Sequence, residues 1–423
     1  MNGEGVLVRA MLAAADRWYA VPGYPISGIA AAAGAELCVN EKVALEYALG
    51  DSLAGRRAGV ICKNVGLNTC ADPLVNATTQ GLVAGVVVVA GDDVAVRGSQ
   101  NAQDSRYYGE VAQIPVLEPD AETLGSAVEE AFAASEAFSR AALLRVTPAV
   151  LEGAAPACTR PRTPGAGSLA DPDLTMRGRT EAADADTARM FSWSKRSPFN
   201  RAGRPPVGSG PAPGEARAVT VYPPPFSPED LALTNEAGRP FLREHRHLEP
   251  PVPKDRFDTK SGRGYARTFC RNCPFKPALE LIRDCGIAVV CDIGCSLLAA
   301  NPPYGIGVAS YGLGSSVAVA ARSTKAALCG DYAMLHSGMN ALADVVEKGL
   351  PLLCIILKNK RMGMTGGHPA PDIARYIGWA EPVTLAAGDT AAIAGRLVIP
   401  DGPAVLIIEG TCPEGENHET VAC

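Results

Sequence analysis

The 423-residue sequence predicts an α/β protein made of two doubly wound parallel-sheet domains joined by a proline-rich irregular connector. Short apolar runs alternate with helix-forming stretches in the first third of the chain and again in the last third, a pattern typical of parallel sheets. Between them, 17 of the 34 prolines fall within residues 152–267, where apolar periodicity fades. We therefore expect one domain at 1–151, the connector at 152–267 and a second domain at 268–423.

In the first domain, three apolar runs have the length and flanking residues of buried strands. Two Ala-rich stretches that begin with glutamate predict helices, since the helix dipole favours an acid in the first turn. The strands are expected at residues 59–63, 82–90 and 141–146, and the helices at 41–54 and 122–137.

The same alternation predicts a parallel sheet in the second domain. Strands are expected at residues 287–292, 326–331, 352–357 and 405–409, with a helix at 339–348. Proteins with such sheets commonly bind ligands at the carboxyl ends of the strands. The residues that follow these strands are therefore candidates for a site.

Composition excludes several functional classes. A net charge of −6 argues against a nucleic-acid partner, which would require clustered Lys and Arg. No run approaches the ~18 apolar residues that span a membrane, and the N-terminus lacks a leader pattern, so a cytoplasmic protein is expected. Thirteen cysteines in a long chain of this kind predict free thiols or metal ligands rather than a disulfide framework.

Two polar residues follow neighbouring predicted strands. Asp331, preceded by Gly330, ends one strand, and Asn359 follows the next strand, 28 positions later. A βαβ crossover of that length would place both side chains on one rim of the sheet. Carboxylate and amide oxygens suit a Mg²⁺ ion that also binds a diphosphate. The alternative is an Asp that merely caps the next helix.

Several ordered segments carry a resemblance to a known family. They are NEKVALEYALGDSLAGRRAGV (40–60), KNVGLNTCADPL (63–74), SQNAQDSRYY (99–108), CRNCP (270–274), DIGCS (292–296), NPP (301–303), GDYAMLHSG (330–338) and KNKRMGMTGGH (358–368). Together they resemble the pyrimidine-binding and diphosphate-binding domains of the thiamine-diphosphate-dependent 2-oxoacid:ferredoxin oxidoreductases. The likeness is closest to the large (alpha) subunit of the indolepyruvate enzymes, and it implies the thiamine-diphosphate-binding fold.

This resemblance implies roles for residues of both domains. Glu41 would hydrogen-bond the pyrimidine N1′ of thiamine diphosphate and favour the tautomer that generates the reactive carbanion; the alternative is an ordinary first-turn glutamate. Asp331, Asn359 and the backbone carbonyl of Arg361 would hold Mg²⁺. His336 is a candidate for substrate binding or proton relay, and a structural histidine at a helix start is the alternative. Glycines would let backbone groups approach the coenzyme at Gly312, Gly314, Gly330, Gly363 and Gly366.

The resemblance also implies a [4Fe–4S] cluster held by Cys270, Cys273, Cys295 and Cys412. Four thiolates are the usual complement of such a cluster, and a C-x-x-C pair supplies two of them from one turn. Zinc is the rival ligand, because it takes the same four sulfurs, and four buried thiols without metal are the third possibility.

The activity that the resemblance implies is oxidative decarboxylation of a 2-oxoacid. Electrons would pass through the cluster to ferredoxin or a smaller partner subunit, and the acyl group would pass to coenzyme A. A homodimer or a hetero-oligomer is expected. Relative to the family, we expect the C-terminal ferredoxin domain to be missing, and Asn64 and Phe275 replace two family histidines. An aryl pyruvate substrate therefore does not follow from the resemblance alone.

Two other functions remain open at this point. A non-oxidative decarboxylase of the sulfopyruvate or phosphonopyruvate type would use the coenzyme without a cluster. A non-catalytic assembly subunit would keep the fold and bind a partner through the proline-rich stretch.

Overall fold

A computed structural model describes residues 1–198, 200, 219–225, 250–413 and 418–423. The described residues divide into two compact units. The first unit takes in Met1–Ala48, Gly55–Ala170 and Arg177–Phe257, and the second takes in Leu49–Ala54, Asp171–Met176 and Asp258–Cys423. Within the described part of the chain, no helix is both long and apolar enough to cross a membrane.

The first unit contains a seven-stranded sheet with the strand order β2-β1-β3-β4-β6-β5-β7. Its first six strands pair in parallel, and β7 runs antiparallel to β5. The strands are β1 Arg17–Ala20, β2 Glu36–Leu37, β3 Ala58–Lys63, β4 Val86–Gly91, β5 Val116–Leu117, β6 Ala142–Val146 and β7 Thr220–Tyr222. The helices are α1 Gly3–Ala14, α2 Ser27–Ala32, α3 Glu41–Leu53, α4 Ala71–Gln80, α5 Tyr107–Ala112, α6 Leu124–Phe138, α7 Pro148–Glu152 and α8 Met176–Arg196.

The central strands β4 and β6 of this sheet are buried along their whole length. Every residue of β4, whose sequence is VVVVAG, is buried, as expected for a β-branched run covered on both faces of a parallel sheet. Helices α1 and α6 pack on one face, where Leu7, Met11, Val128 and Phe132 join the core. The strands and helices predicted in this half are confirmed, with shifts of a few residues at some ends.

The expected irregular connector requires a correction. Residues 176–196 form α8, a 21-residue helix whose buried residues recur at helical spacing, and 220–222 add β7 to the sheet edge. The prolines of the connector fall outside 176–196, so nothing in that stretch removes the backbone donors that a helix requires. The high mean proline content of residues 152–267 therefore did not predict the one helix in a stretch without proline.

The second unit contains a six-stranded parallel sheet with the strand order β10-β9-β11-β12-β16-β15. Two smaller antiparallel pairs, β8 with β17 and β13 with β14, accompany it. The strands are β8 Tyr265–Cys270, β9 Val289–Cys291, β10 Gly307–Ala309, β11 Ala326–Gly330, β12 Leu352–Lys358, β13 Arg361–Met362, β14 His368–Pro369, β15 Val383–Ala386, β16 Pro403–Glu409 and β17 His418–Ala422. The helices are α9 Lys260–Arg263, α10 Lys276–Asp284, α11 Ser316–Arg322, α12 Asp331–Ala333, α13 Met339–Glu347 and α14 Thr390–Ala394.

The register of this sheet places the predicted magnesium ligands at one edge. Gly330 at the end of β11 pairs with Leu357 near the end of β12. Asp331 and Asn359 therefore leave adjacent parallel strands at the same level, as the crossover argument predicted. A π-helical turn, Met334–Gly338, separates α12 from α13.

Candidate functional site

A cavity of about 230 Å³ lies at the carboxyl edge of the second unit's sheet. Much of its wall is apolar and is formed by Phe269, Phe275, Ile293, Leu313 and Met362, among others. Nine of the predicted site residues also line it: Cys270, Cys273, Cys295, Gly330, Asp331, Asn359, Arg361, Gly363 and Cys412. The loops that follow neighbouring parallel strands thus gather residues that lie far apart in the sequence.

Asp331 is held in one orientation by backbone donors from two loops. Its carboxylate accepts a hydrogen bond from the Tyr332 amide and another from the Lys360 amide, each at 2.8 Å. Burial raises the pKa of Asp331 above its ordinary value, although these amides act in the opposite direction. The side-chain oxygen of Asn359 accepts from the Arg361 amide at 3.1 Å. The edge therefore offers carboxylate and amide oxygens, which are hard ligands of the kind that Mg²⁺ prefers.

The loop that follows Asn359 turns back across the cavity as the β13–β14 hairpin. Arg361 donates from Nε to the Gly367 carbonyl at 3.2 Å, and Gly366 adopts a φ of +94°, which is accessible mainly to glycine. A Cβ atom at Gly363 would lie 3.8 Å from the Cys412 sulfur and 4.0 Å from the Cys295 sulfur. These two sulfurs are therefore at most 7.8 Å apart.

A buried carboxylate, Asp292, organises the glycine loop that precedes α11. It accepts hydrogen bonds from the Gly314 amide at 2.7 Å and from the Ser316 hydroxyl at 2.9 Å. Desolvation raises the pKa of Asp292 to about 6 despite these donors. Gly314 has a φ of +82°, and a Cβ atom there would lie 2.3 Å from the Ser337 hydroxyl. Only glycine fits at this position.

Three of the glycines predicted to approach the coenzyme, Gly312, Gly314 and Gly366, do not line the cavity.

The four predicted cysteines share the cavity wall. Cys270 and Cys273 form a tight turn in which the Cys273 amide donates to the Cys270 carbonyl at 3.1 Å. Burial raises the pKa of Cys273 to about 11 and that of Cys295 to about 12, and the neighbouring sulfurs act in the same direction. All thirteen cysteines are free thiols. Among the residues that the structure describes, no three His, Cys, Asp or Glu side chains are grouped so as to hold one metal ion.

Sequence reasoning missed His418, which also lines the cavity. Its Nε2 lies 3.6 Å from the Cys295 sulfur, and His418 pairs with Cys270 in the β8–β17 ladder. Desolvation lowers the pKa of His418, and the charge of Arg267 lowers it further. The sequence signal was weak: a histidine six positions after Cys412 indicates nothing about a strand that returns to β8.

His336 lies apart from these residues. It is exposed in the π-helical turn, and its Nδ1 is 3.2 Å from the Ser337 hydroxyl. The side chain does not line the cavity. Its role in substrate binding or proton relay stays a prediction.

In the first unit, Glu41 is the first residue of α3. The side chain of Asn40 accepts a hydrogen bond from the Val43 amide at 2.9 Å and so caps the helix. A Cβ atom at Gly66 would lie 2.1 Å from a Glu41 carboxylate oxygen, so the carboxylate rests directly on the backbone of that glycine. Glu46, one turn further along, is buried and ion-paired with Lys42 at 3.0 Å. The two carboxylates of this helix therefore have different environments.

Two of the family-like segments of the first unit contact each other. The Gln103 amide donates to the Asn64 carbonyl at 3.0 Å and to the Asn68 side chain at 2.9 Å, and the Tyr108 hydroxyl reaches Asn68 at 2.8 Å. Asn64 itself is fully buried and donates to the Asn101 carbonyl at 3.3 Å. The residue that replaces a family histidine here therefore belongs to a polar network.

Comparisons with known proteins agree with these observations. A family model described as "Thiamine pyrophosphate enzyme, C-terminal TPP binding domain" matches residues 288–397. The indolepyruvate oxidoreductase subunit IorA of Methanothermobacter thermautotrophicus is 26% identical, over 83% of this chain and 72% of its own length. The protein of the same name from Archaeoglobus fulgidus is 38% identical, over 34% of this chain and 26% of its own length.

A solved structure supports the fold independently. The thiamine diphosphate-dependent 4-hydroxybenzoylformate decarboxylase of Rhodococcus jostii RHA1 superposes with a TM-score of 0.58, covering 98% of this chain and 100% of its own, at 15% identity. The predicted thiamine-diphosphate-binding fold is thereby confirmed, as is the predicted resemblance. In sequence and fold this chain resembles the thiamine-diphosphate-dependent 2-oxoacid oxidoreductases, and its similarity to the indolepyruvate oxidoreductase subunit IorA extends over 83% of its length.

Proposed function

We propose that this enzyme binds thiamine diphosphate with Mg²⁺ and oxidatively decarboxylates a 2-oxoacid, with an aryl pyruvate as the first candidate. A [4Fe–4S] cluster on Cys270, Cys273, Cys295 and Cys412 would carry the electrons to ferredoxin or to a smaller partner subunit. One 2-oxoacid and one coenzyme A would yield an acyl thioester, CO₂, one proton and two electrons. The observation that carries this proposal is that four thiols and the Asp331–Asn359 edge line a single cavity.

The chemistry of the cavity supports a cluster. A zinc ion bound at about 2.3 Å by four thiolates would need the sulfurs to be within roughly 4 Å of each other. All four predicted thiols line this one cavity, and four thiolates are the usual complement of a [4Fe–4S] cluster. The apolar wall would exclude water from its surroundings.

The residues of each unit support the coenzyme assignment separately. In the second unit, Asp331 and Asn359 would bind Mg²⁺ together with the Arg361 carbonyl. In the first unit, Glu41 lies at a helix start against Gly66 and would hold a proton at the pyrimidine N1′. Thiamine diphosphate, when bound, supplies the carbanion that attacks the 2-oxo carbon and accepts the electron pair released with CO₂.

Anaerobic purification followed by iron and sulfide analysis tests the proposal. We expect about four iron and four sulfide per chain and a broad visible absorption that dithionite bleaches. Cys295→Ser should lose most of this iron, because it removes one ligand. Cys285→Ser is the matched control, since Cys285 is exposed and does not line the cavity, and it should keep the iron content of the wild type.

Other outcomes would change the assignment. A colourless protein that contains one zinc, binds thiamine diphosphate and releases an aldehyde from a 2-oxoacid would be a non-oxidative decarboxylase. A protein that binds no thiamine diphosphate in the presence of Mg²⁺ could not catalyse this reaction. It would instead be a non-catalytic assembly subunit that keeps the fold.

A further inference from the structure

We propose that His418 donates a hydrogen bond from Nε2 to the sulfur of Cys295 and thereby raises the reduction potential of the cluster. The inference rests on the proposed function, because it needs the cluster. It concerns a residue of this chain that the family-like motifs do not include. His418 would act as a positioning and tuning residue, since it touches a ligand of the cluster and no reacting atom of the substrate.

The geometry places the imidazole directly beside the thiol. Nε2 of His418 and Sγ of Cys295 are 3.6 Å apart, a distance typical of a hydrogen bond to sulfur, which is a larger atom than oxygen. Both residues line the same cavity. A thiolate bound to iron is only an acceptor, and a neutral imidazole has one N–H to donate. The contact is therefore chemically complementary once the cysteine binds iron.

The strand that carries His418 is anchored to the cysteine turn. His418 pairs with Cys270 in the antiparallel β8–β17 ladder. The next residue, Glu419, forms ion pairs with Arg271 at 3.1 Å and with Lys276 at 3.2 Å. Arg271 lies between the two cysteines of the C-x-x-C turn. Main-chain pairing and these two ion pairs hold the strand that carries His418 beside the C-x-x-C turn.

Elementary electrostatics gives the sign of the effect. The reduced cluster carries one more negative charge than the oxidised cluster, so a donor to a ligand sulfur stabilises the reduced form more. Hydrogen bonds to the sulfurs are among the factors that set iron–sulfur potentials. The apolar side chains of Phe269 and Phe275 in the same wall reduce screening and strengthen the interaction. Removal of the donor should therefore lower the potential.

Redox titration of anaerobically purified protein, followed by visible absorption and electron paramagnetic resonance, tests the inference. His418→Leu removes the donor, and we expect a lower midpoint potential with iron and sulfide content unchanged. His418→Gln places an amide N–H close to the position of Nε2 and should restore much of the difference. Thr420→Val is the control, since Thr420 lies in the same strand with an exposed side chain, and its potential should equal that of the wild type.

A second variant keeps the test decisive if His418→Leu fails to retain iron. The amide of His418→Asn is too short to reach the position of Nε2, so its potential should also fall below that of His418→Gln. Equal potentials for wild type, His418→Leu and His418→Asn, with the cluster intact in each, would overturn the inference and leave the proposed function standing. A wild-type protein without iron would instead overturn the proposed function, and the inference with it.

Discussion

Glu41 and Glu46, two glutamates of α3, have different surroundings. The carboxylate of Glu41 lies on Gly66, whereas the carboxylate of Glu46 is buried beside Lys42. Only the first lies next to the loop segment KNVGLN that belongs to the family-like motifs. Substitutions at Glu41 and at Glu46 should therefore have different effects.

Glu41→Gln keeps the size of the side chain and removes the acid. We expect thiamine diphosphate binding within a few-fold of the wild type, while turnover falls by at least about 100-fold. Steady-state assay with a 2-oxoacid and a fluorescence titration of the coenzyme would measure the two quantities. Glu46→Gln is the matched control, and it should retain turnover while losing about 1–3 kcal/mol of unfolding free energy. Full turnover in Glu41→Gln would show that another residue protonates the coenzyme.

Several residues of the site were predictable because each is tied to a local rule. Asp331 and Asn359 follow adjacent parallel strands, and the C-x-x-C turn is encoded in four consecutive positions. His418 was not predictable, because its contact with Cys295 depends on the pairing of β17 with a strand far away in the sequence. The residues around His418 carry no sequence pattern that predicts this strand pairing.

The buried carboxylate of Asp292 links the end of β9 to the glycine loop before α11. Asp292 accepts from Gly314 and Ser316 of that loop, and its pKa is raised to about 6. A carboxyl group whose pKa is higher in the folded state than in the unfolded state is more protonated in the folded state between these two values. Its contribution to stability is therefore present at low pH and lost as pH rises through this window.

We accordingly expect Asp292 to lower the free energy of unfolding as pH rises from about 4 to about 6, by up to about 3 kcal/mol. Urea unfolding of the wild type and Asp292→Asn across this range measures the effect. The variant should be less stable at the low end, since its amide cannot accept all the same donors, and its pH slope should lack this falling component. Identical pH slopes in the two proteins would contradict the assignment.

Helix α8 shows that the amino-acid composition of a long segment does not predict where its helices lie. A high proline content over residues 152–267 predicted irregular chain, yet the 21 residues of α8 contain no proline. The position of each proline decides where a helix can form, because each one removes a single backbone donor. The strands and helices with clear apolar periodicity were predicted correctly for the same local reason.

For the whole molecule, the alternation of strands and helices predicted two parallel sheets, and the structure contains them. The chemistry followed from the family-like motifs rather than from the fold, because thiamine-diphosphate folds support several reactions. No local rule predicts which 2-oxoacid the proposed enzyme would accept, because Asn64 and Phe275 stand where the family has histidines.

Magnesium should be required for the assembled cofactor site. Because Asp331 and Asn359 supply only a few oxygens, the ion would share its coordination with the diphosphate. We expect EDTA treatment followed by gel filtration to reduce thiamine diphosphate retention by more than about 10-fold, and added Mg²⁺ to restore it. Calorimetric titration with and without Mg²⁺ measures this, and Asp331→Ala should lose the response. Coenzyme binding that is indifferent to the metal would argue against this ligand set.

The burial of Cys273 and Cys295 affects the reactivity of their thiols when no cofactor is bound. With pKa values near 11 and 12, these sulfurs stay protonated at neutral pH, and a thiol is a far weaker nucleophile than a thiolate. In the folded chain these sulfurs should therefore react slowly with oxidants. Binding of the proposed cluster would then release a proton from each of these sulfurs, so we expect acidic conditions to oppose it.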